Sequence, residues 1–177
     1  MGKETSKEKV KLITGILTSD KESADKLIKD LTKKYGETDY RSDYIDFIFT
    51  NYYEDEMGGN ILRKFISFKT LINPEDLHKI KIFTNKLEQK HLSASGGRVV
   101  NLDPGYICLG KLILATTKNQ QHRIYLKNGI FAEVTLRYKN KTFRSWEWTY
   151  PDYATDEYIS IFNKIRDIYY DQLYSSV

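Results

Sequence analysis

Apolar residues fall in two rhythms along this chain, and each change of rhythm marks an element. Val10 to Thr18, VKLITGILT, is a nearly unbroken apolar run after a polar start and predicts a buried strand. The period then lengthens: Ala24, Leu27, Ile28, Leu31 and Tyr35 share one helical face, Ser19 and Glu22 stand ahead of it at capping-box spacing, and Gly36 closes it. YIDFIFT (Tyr44 to Thr50) and ILRKFISF (Ile61 to Phe68) predict two strands of a long hairpin joined through NYYEDEMGGN. Asn73 and Pro74 form a cap and first turn for a second helix, with Leu77, Ile80, Thr84 and Leu87 at helical spacing. RVVNL, Arg98 to Leu102, predicts a short strand after the loop HLSASGGR.

Strand, helix, strand, strand, helix, strand is the order of a ferredoxin-like α+β sandwich. The rest of the chain extends that βαββαβ core. Asp103 and Pro104 predict a helix running to about Lys118, followed by a three-strand antiparallel meander and a last helix, Thr155 to Tyr174, with Tyr158, Phe162, Ile165, Tyr169 and Leu173 inward. No repeat or linker interrupts the pattern, so residues 1–177 read as one domain, with residues 1–8 a flexible polar tail.

The meander, His122 to Trp148, carries the most chemistry. Asn128 and Gly129 are the preferred pair for a two-residue type I′ turn, which sets Leu126 opposite Phe131, Ile124 opposite Glu133 and His122 opposite Thr135. A second turn at Asn140 and Lys141 sets Tyr138 opposite Phe143, and the same register carries Trp146 to Thr135 and Trp148 to Glu133. Alternation then collects His122, Ile124, Leu126, Phe131, Glu133, Thr135, Arg137, Arg144, Trp146 and Trp148 on one face. Tyr125, Ile130, Ala132, Val134, Leu136, Tyr138 and Phe143 form the other, a core face. An unpaired carboxylate on the first face would cost several kcal/mol of desolvation, so Glu133 must find a partner. Beside His122 it could serve as a tuned acid or base, with the tryptophans stacking a flat ligand. Pairing with His122, Arg123 or a lysine as scaffolding, or a face turned simply to solvent, is the other reading of the same pattern.

Gly105, Gly110 and Lys111 stand at G-x-x-x-x-G-K spacing, but they fail as a phosphate loop. Such a loop needs small residues whose N–H groups turn inward and a Ser or Thr after the lysine. Here Tyr106, Ile107, Cys108 and Leu109 fill the interior and Leu112 replaces the hydroxyl. There is no G-x-S-x-G, H-E-x-x-H or G-x-G-x-x-G either. Glu54, Asp55 and Glu56 lack the alternation of a calcium loop, so no metal ligands are assigned.

Composition narrows the classes further. Cys108 is the single cysteine, which excludes an intramolecular disulfide, a cysteine zinc site and a C-x-x-C redox pair. With 28 basic against 24 acidic residues, the net charge of +4 is too small to announce nucleic acid. No run approaches the roughly 18 apolar residues of a membrane span, and the charged start MGKETSKEKVK is unlike a signal peptide, so a cytoplasmic protein without membrane partners is expected. Fourteen tyrosines suit half-buried surfaces and pockets.

Taken together, VKLITGIL, TNYYEDEMG, VNLDPGYI, LATTK with HRIYL, GIFAEVTL and WTYPDY resemble an uncharacterised prokaryotic family, domain of unknown function 4416, over nearly the whole chain. The resemblance implies a small single-domain cytosolic protein and brings no established activity. Its motifs coincide here with Tyr52, Tyr53, Glu56, Asn101, Asp103, Tyr106, Lys118, His122, Arg123, Glu133, Thr135, Trp148, Asp152 and Tyr153. These residues lead to one expectation: a small anionic or nucleotide-like ligand bound in a polar, aromatic cleft beside the meander, with no particular cofactor implied. If the chain is an enzyme, Glu133 is the acid or base and His122 its partner. Lys118 and Arg123 then contact the anion, while Thr135, Tyr52, Tyr53, Asn101, Asp103, Tyr106, Trp148, Asp152 and Tyr153 shape the pocket. An RNA-binding module is the alternative, because a ferredoxin-like sheet with exposed aromatics can stack bases; a protein-interaction or assembly factor is a third. Oligomeric state is not fixed by the sequence.

Overall fold

An eight-residue strand with every position buried, β1 (Lys11–Thr18), runs through the middle of the molecule. The computed structural model describes residues 8–49, 57–93 and 96–174. After β1 come α1 (Lys21–Tyr35), β2 (Thr38–Arg41), β3 (Ile45–Asp46), β4 (Leu62–Phe68), α2 (Leu77–Glu88), β5 (Val100–Cys108), β6 (Lys111–Thr116), β7 (Arg123–Lys127), β8 (Ile130–Lys139), β9 (Thr142–Ser145) and α3 (Asp156–Tyr174). The described residues thus form a mixed α+β structure with one nine-stranded antiparallel sheet and three α-helices. Its order is β2-β4-β1-β5-β6-β8-β7, with β3 added to β4 and β9 to β8.

Helices cover both faces of the sheet, which is why β1 reads as continuously apolar rather than alternating. Leu12 and Ile16 point to one face, where Leu27 and Leu31 of α1 and Ile80 and Leu87 of α2 meet them. Ile13 points to the other, against Phe162 and Ile165 of α3 and Phe65 of β4. Each of the three helices buries an apolar stripe, and the Asn128–Gly129 and Asn140–Lys141 turns take the positive φ that their sequences predict.

Several expectations are corrected. Residues 103–118 are not a helix: they are the end of β5, a turn at Leu109 and Gly110, and β6. Asp103 and Pro104 look like a helix start locally, yet Pro104 sits within a strand because its missing N–H falls on the side of β5 that has no partner strand. The short strand expected at Arg98 to Leu102 is therefore the beginning of a nine-residue one. Asp20, not Ser19, caps α1, accepting from the Glu22 N–H at 3.0 Å. Pro74–Asp76 is a 3-10 turn leading into α2, and the Asn73 side chain makes no capping bond. Among the described residues of the expected strand 44–50, only Ile45 and Asp46 pair with β4, and β2, a polar TDYR stretch, adds to the same edge.

The meander's register also differs from the expected one. An irregularity at Leu126 lets Tyr125 face Phe131 and Lys127 face Ile130, so Arg123, rather than Ile124, stands opposite Glu133. One extra residue sends every upstream side chain of β7 to the opposite face. A second irregularity falls in β8: Val134 pairs with Ile113 and Leu136 with Leu112, leaving Thr135 extra. Ile130 therefore joins the α2 side with Ile113 and Leu77, whereas Leu136 joins the α3 side. Strand β9 stops at Ser145, so Trp146 and Trp148 lie in the turn beyond it.

Candidate functional site

The sheet is split between β5 and β6. The two strands pair only from Gly105 to Cys108 against Lys111 to Leu114, and upstream of Gly105 they part. A Cβ at Gly105 would lie 2.3 Å from the Ile113 carbonyl oxygen, so the strands can approach at the fork only because residue 105 is glycine. Above the fork a cleft of about 780 Å³ opens. Its walls come from β4, β5, α2, β6 with the following loop, the β7–β8 pair and the turn Tyr150–Tyr153.

The parting leaves backbone groups of β5 without a strand partner, and α2 supplies side chains instead. Glu88 Oε1 accepts from the Leu102 N–H at 2.8 Å, and Lys81 Nζ donates to the Leu102 carbonyl at 2.7 Å. Arg98 Nη1 donates to Glu88 Oε2 at 3.0 Å. Two charged residues on the buried face of α2 thereby close the edge of the split.

A continuous polar relay crosses the floor from there. Arg98 Nη1 donates to Asn101 Oδ1 at 2.9 Å, and Asn101 Nδ2 donates to Asp103 Oδ1 at 2.9 Å. Arg63 then bridges two acids, reaching Asp103 Oδ2 through Nη1 at 3.0 Å and Asp152 Oδ2 through Nη2 at 3.3 Å. Arg63 is 3 % exposed, and its guanidinium lies 5.4 Å from the ring of Phe47 and 5.6 Å from those of Phe65 and Tyr153. Room for it exists because position 15 has no side chain: a Cβ there would stand 3.1 Å from both Arg63 Nη1 and the Tyr153 hydroxyl. Arg63 Nε and the hydroxyls of Tyr153 and Tyr158 are buried with no hydrogen-bond partner among the described residues.

One cation between two acids treats them unequally. Burial works against ionising Asp103, but the charges of Arg63 and Lys81 outweigh it and hold that carboxyl below the usual aspartate value. For Asp152 burial prevails over Arg63, and the neighbouring Asp103 charge adds to it, so its pKa is raised. Glu88 is raised by burial in the same way, and burial lifts the Tyr158 phenol to about 12.

The opposite wall holds a matched cluster. Glu133 Oε2 accepts from Arg123 Nε at 2.8 Å and lies 3.1 Å from His122 Nε2, and Oε1 accepts from Thr135 Oγ1 at 3.2 Å. Arg123 also donates to the Lys118 carbonyl at 3.0 Å and to the Tyr150 hydroxyl at 3.3 Å. Outside this wall His122 stacks on Trp148 at 5.5 Å, Trp148 stacks on Trp146 at 5.1 Å, and Arg137 caps the ladder 4.2 Å above Trp146.

Residues 8–169 match the family described as Domain of unknown function (DUF4416). The chain belongs to that family. No curated protein and no solved structure matches it. Every charged residue of the relay lies inside the DUF4416 match.

Of the residues singled out in the sequence of this DUF4416 chain, Asn101, Asp103, Lys118, Arg123, Glu133, Asp152 and Tyr153 line the one cleft. Thr135 stands behind Glu133. His122 and Trp148 line a second depression with Gln120, Gln121 and Glu147, and His122 reaches the cleft only through its bond to Glu133. Tyr106 is not in the cleft; it packs against the apolar cluster of Leu77, Ile113 and Ile130. Tyr52 and Tyr53, with the acidic run after them, fall outside the described residues. Sequence reasoning missed Arg63, Lys81, Glu88 and Arg98. The signal was present: Lys81 and Glu88 sit seven residues apart among Leu77, Ile80, Thr84 and Leu87, and Arg63 interrupts an apolar strand. Among the described residues no three His, Cys, Asp or Glu side chains gather as a metal ion would need, and no helix is long and apolar enough to cross a membrane.

Proposed function

We propose that this DUF4416 chain binds a small anionic, nucleotide-sized ligand in the cleft between β5 and β6, and that Arg63, Asp103 and Asp152 supply acid–base chemistry there. The observation that carries the proposal is one buried guanidinium facing two carboxylates at the floor of a ligand-sized cleft. Two acids pushed in opposite directions can divide the work: Asp152, whose carboxyl is raised by burial, takes up a proton more readily than Asp103, whose carboxyl is lowered by Arg63 and Lys81. The cleft volume falls within the range of small-molecule sites. Among the described residues its lining carries five cationic side chains, Arg63, Lys81, Arg98, Lys118 and Arg123, against four carboxylates, Glu88, Asp103, Glu133 and Asp152, which favours an anion.

Glu133 and His122 take a different part in this reading from the one their sequence implied. Both Glu133 oxygens are already engaged, so it orients Arg123 along the wall rather than moving protons. The finer fold belongs to the same proposal. We read β2/β3-β4-β1-β5, with α1 and α2 on one face, as a ferredoxin-like core, and the cleft as the seam where β6–β9 join it. A cytoplasmic setting, in keeping with the single cysteine, is part of it too. An RNA-binding surface draws less support, because α3 covers the sheet face that bases would have to stack on.

The test is a thermal-shift screen of nucleotides, sugar phosphates and inorganic anions. A bound ligand at 100 times its dissociation constant adds about 2.7 kcal/mol and raises the midpoint by roughly 5–10 °C. That shift should disappear in Arg98→Gln and persist in Glu133→Gln, whose own midpoint is lower. No shift with any anion, or a shift untouched by Arg98→Gln, counts against the proposal.

A further inference from the structure

Charge is unevenly spread along the cleft floor. At the end near the Tyr150–Tyr153 turn, the single positive charge of Arg63 meets two carboxylates, Asp103 and Asp152. Tyr153, 3 % exposed, adds a hydroxyl that has no partner among the described residues. At the α2 end the proportion reverses among the described residues, with one carboxylate, Glu88, 3.0 Å from Arg98 and 4.0 Å from Lys81. Asn101 joins the two ends, accepting from Arg98 and donating to Asp103. Both ends reach open space: the Arg98 side chain is 31 % exposed and that of Asp103 26 %.

From this asymmetry we infer that the cleft takes a phosphorylated sugar, its phosphate at the Arg98 end and its hydroxyls at Asp103, Asp152 and Tyr153. The inference rests on the anion-binding reading above and adds the substrate class and its orientation. A guanidinium in positive surroundings binds phosphate oxygens through parallel N–H donors. The same phosphate at the other end would meet excess negative charge, which fixes the direction. Ionised carboxylates have acceptor capacity to spare, and neighbouring sugar hydroxyls are donors that match it. The Tyr153 hydroxyl, buried and unpaired, gains a partner in the same step. Inorganic phosphate can use only one end, and an unphosphorylated sugar only the other. The chemistry is shared by a free sugar phosphate and by the ribose phosphate of a nucleotide, whose base would lie toward Phe47 and Phe49 on the cleft lining.

Calorimetric titration of the full chain with ribose 5-phosphate, ribose, inorganic phosphate and AMP tests this. The expected result is ribose 5-phosphate binding at least about tenfold tighter than phosphate, with ribose weaker than either. Asp103→Asn should weaken ribose 5-phosphate about tenfold and leave phosphate unchanged, whereas Arg98→Gln should weaken both by a similar factor. AMP tighter than ribose 5-phosphate assigns the nucleotide form, and equal or weaker AMP assigns the free sugar phosphate. Equal affinity for ribose 5-phosphate and phosphate overturns the inference while the anion-binding reading stands. Binding of none of the four overturns both. The four-ligand comparison uses the unaltered chain, so it decides the matter even if a variant does not fold.

Discussion

Two buried carboxylate centres line one cleft, and they follow opposite rules. Glu133 is one acid with Arg123, His122 and Thr135 around it, so every oxygen is spoken for and the cluster ties β7 to β8. Arg63 is one cation between Asp103 and Asp152, with its own Nε and the nearby Tyr153 hydroxyl left over. A matched cluster stabilises a wall; an unmatched one retains bonding capacity for a ligand. Burial alone does not separate the two, since Glu133 and Arg63 are both 3 % exposed. The count of partners does.

The sharpest way to break that contrast is Arg63→Met. It leaves the buried Asp152 and the partly exposed Asp103 without their shared cation and should cost about 3–5 kcal/mol in urea unfolding at neutral pH, and a loss under about 1 kcal/mol would erase the distinction. Next comes the fork itself. Gly105→Ala forces a Cβ against the Ile113 carbonyl and should cost about 3 kcal/mol, with amide exchange of β6 accelerated, because backbone rather than a flexible side chain has to yield. Third is the matched pair of substitutions. Glu133→Gln leaves Arg123 buried without a counter-charge and should lose about 2–3 kcal/mol, whereas Asp152→Asn relieves an excess acid and should change stability by less than about 1 kcal/mol. If the two losses came out alike, the matched and unmatched centres would be equivalent.

The smallest effect is the dependence on pH. Asp152 binds its proton more tightly folded than unfolded, so its contribution is complete below the ordinary aspartate value of about 3.9 and is lost as pH rises through its raised folded value. Asp103 runs the other way, contributing above the ordinary value and losing that contribution as pH falls through its lowered one. Asp152→Asn should therefore gain on the unaltered chain as pH is raised from about 4 to 7. A constant difference in unfolding free energy over that range would mean that Asp152 ionises as readily folded as unfolded.

Long periodic segments made much of this legible beforehand. The central strand, the three α-helices of the described residues and the first meander turn follow from apolar spacing and from the Asn128–Gly129 pair, which are local signals. The failures are tertiary. Asp103 and Pro104 form a sound helix start in isolation, and only the missing partner strand explains why a proline is harmless in β5. The extra residue near Leu126 is invisible in an alternating pattern, yet it decides that Arg123 meets Glu133. Arg63 looks like an ordinary charged position in a strand; its meaning depends on Asp103 and Asp152, 40 and 89 residues away. WTYPDY and VNLDPGY did draw attention to those two acids, but spacing gives no hint that a third segment joins them.

The most direct measurement records the carboxyl carbon shifts of Asp103, Asp152 and Glu133 by NMR, with and without saturating ribose 5-phosphate. The account predicts that the Asp103 and Asp152 signals move while Glu133 stays in place. Movement of Glu133 alone, or of none of the three, would place the working end of the cleft elsewhere and contradict it.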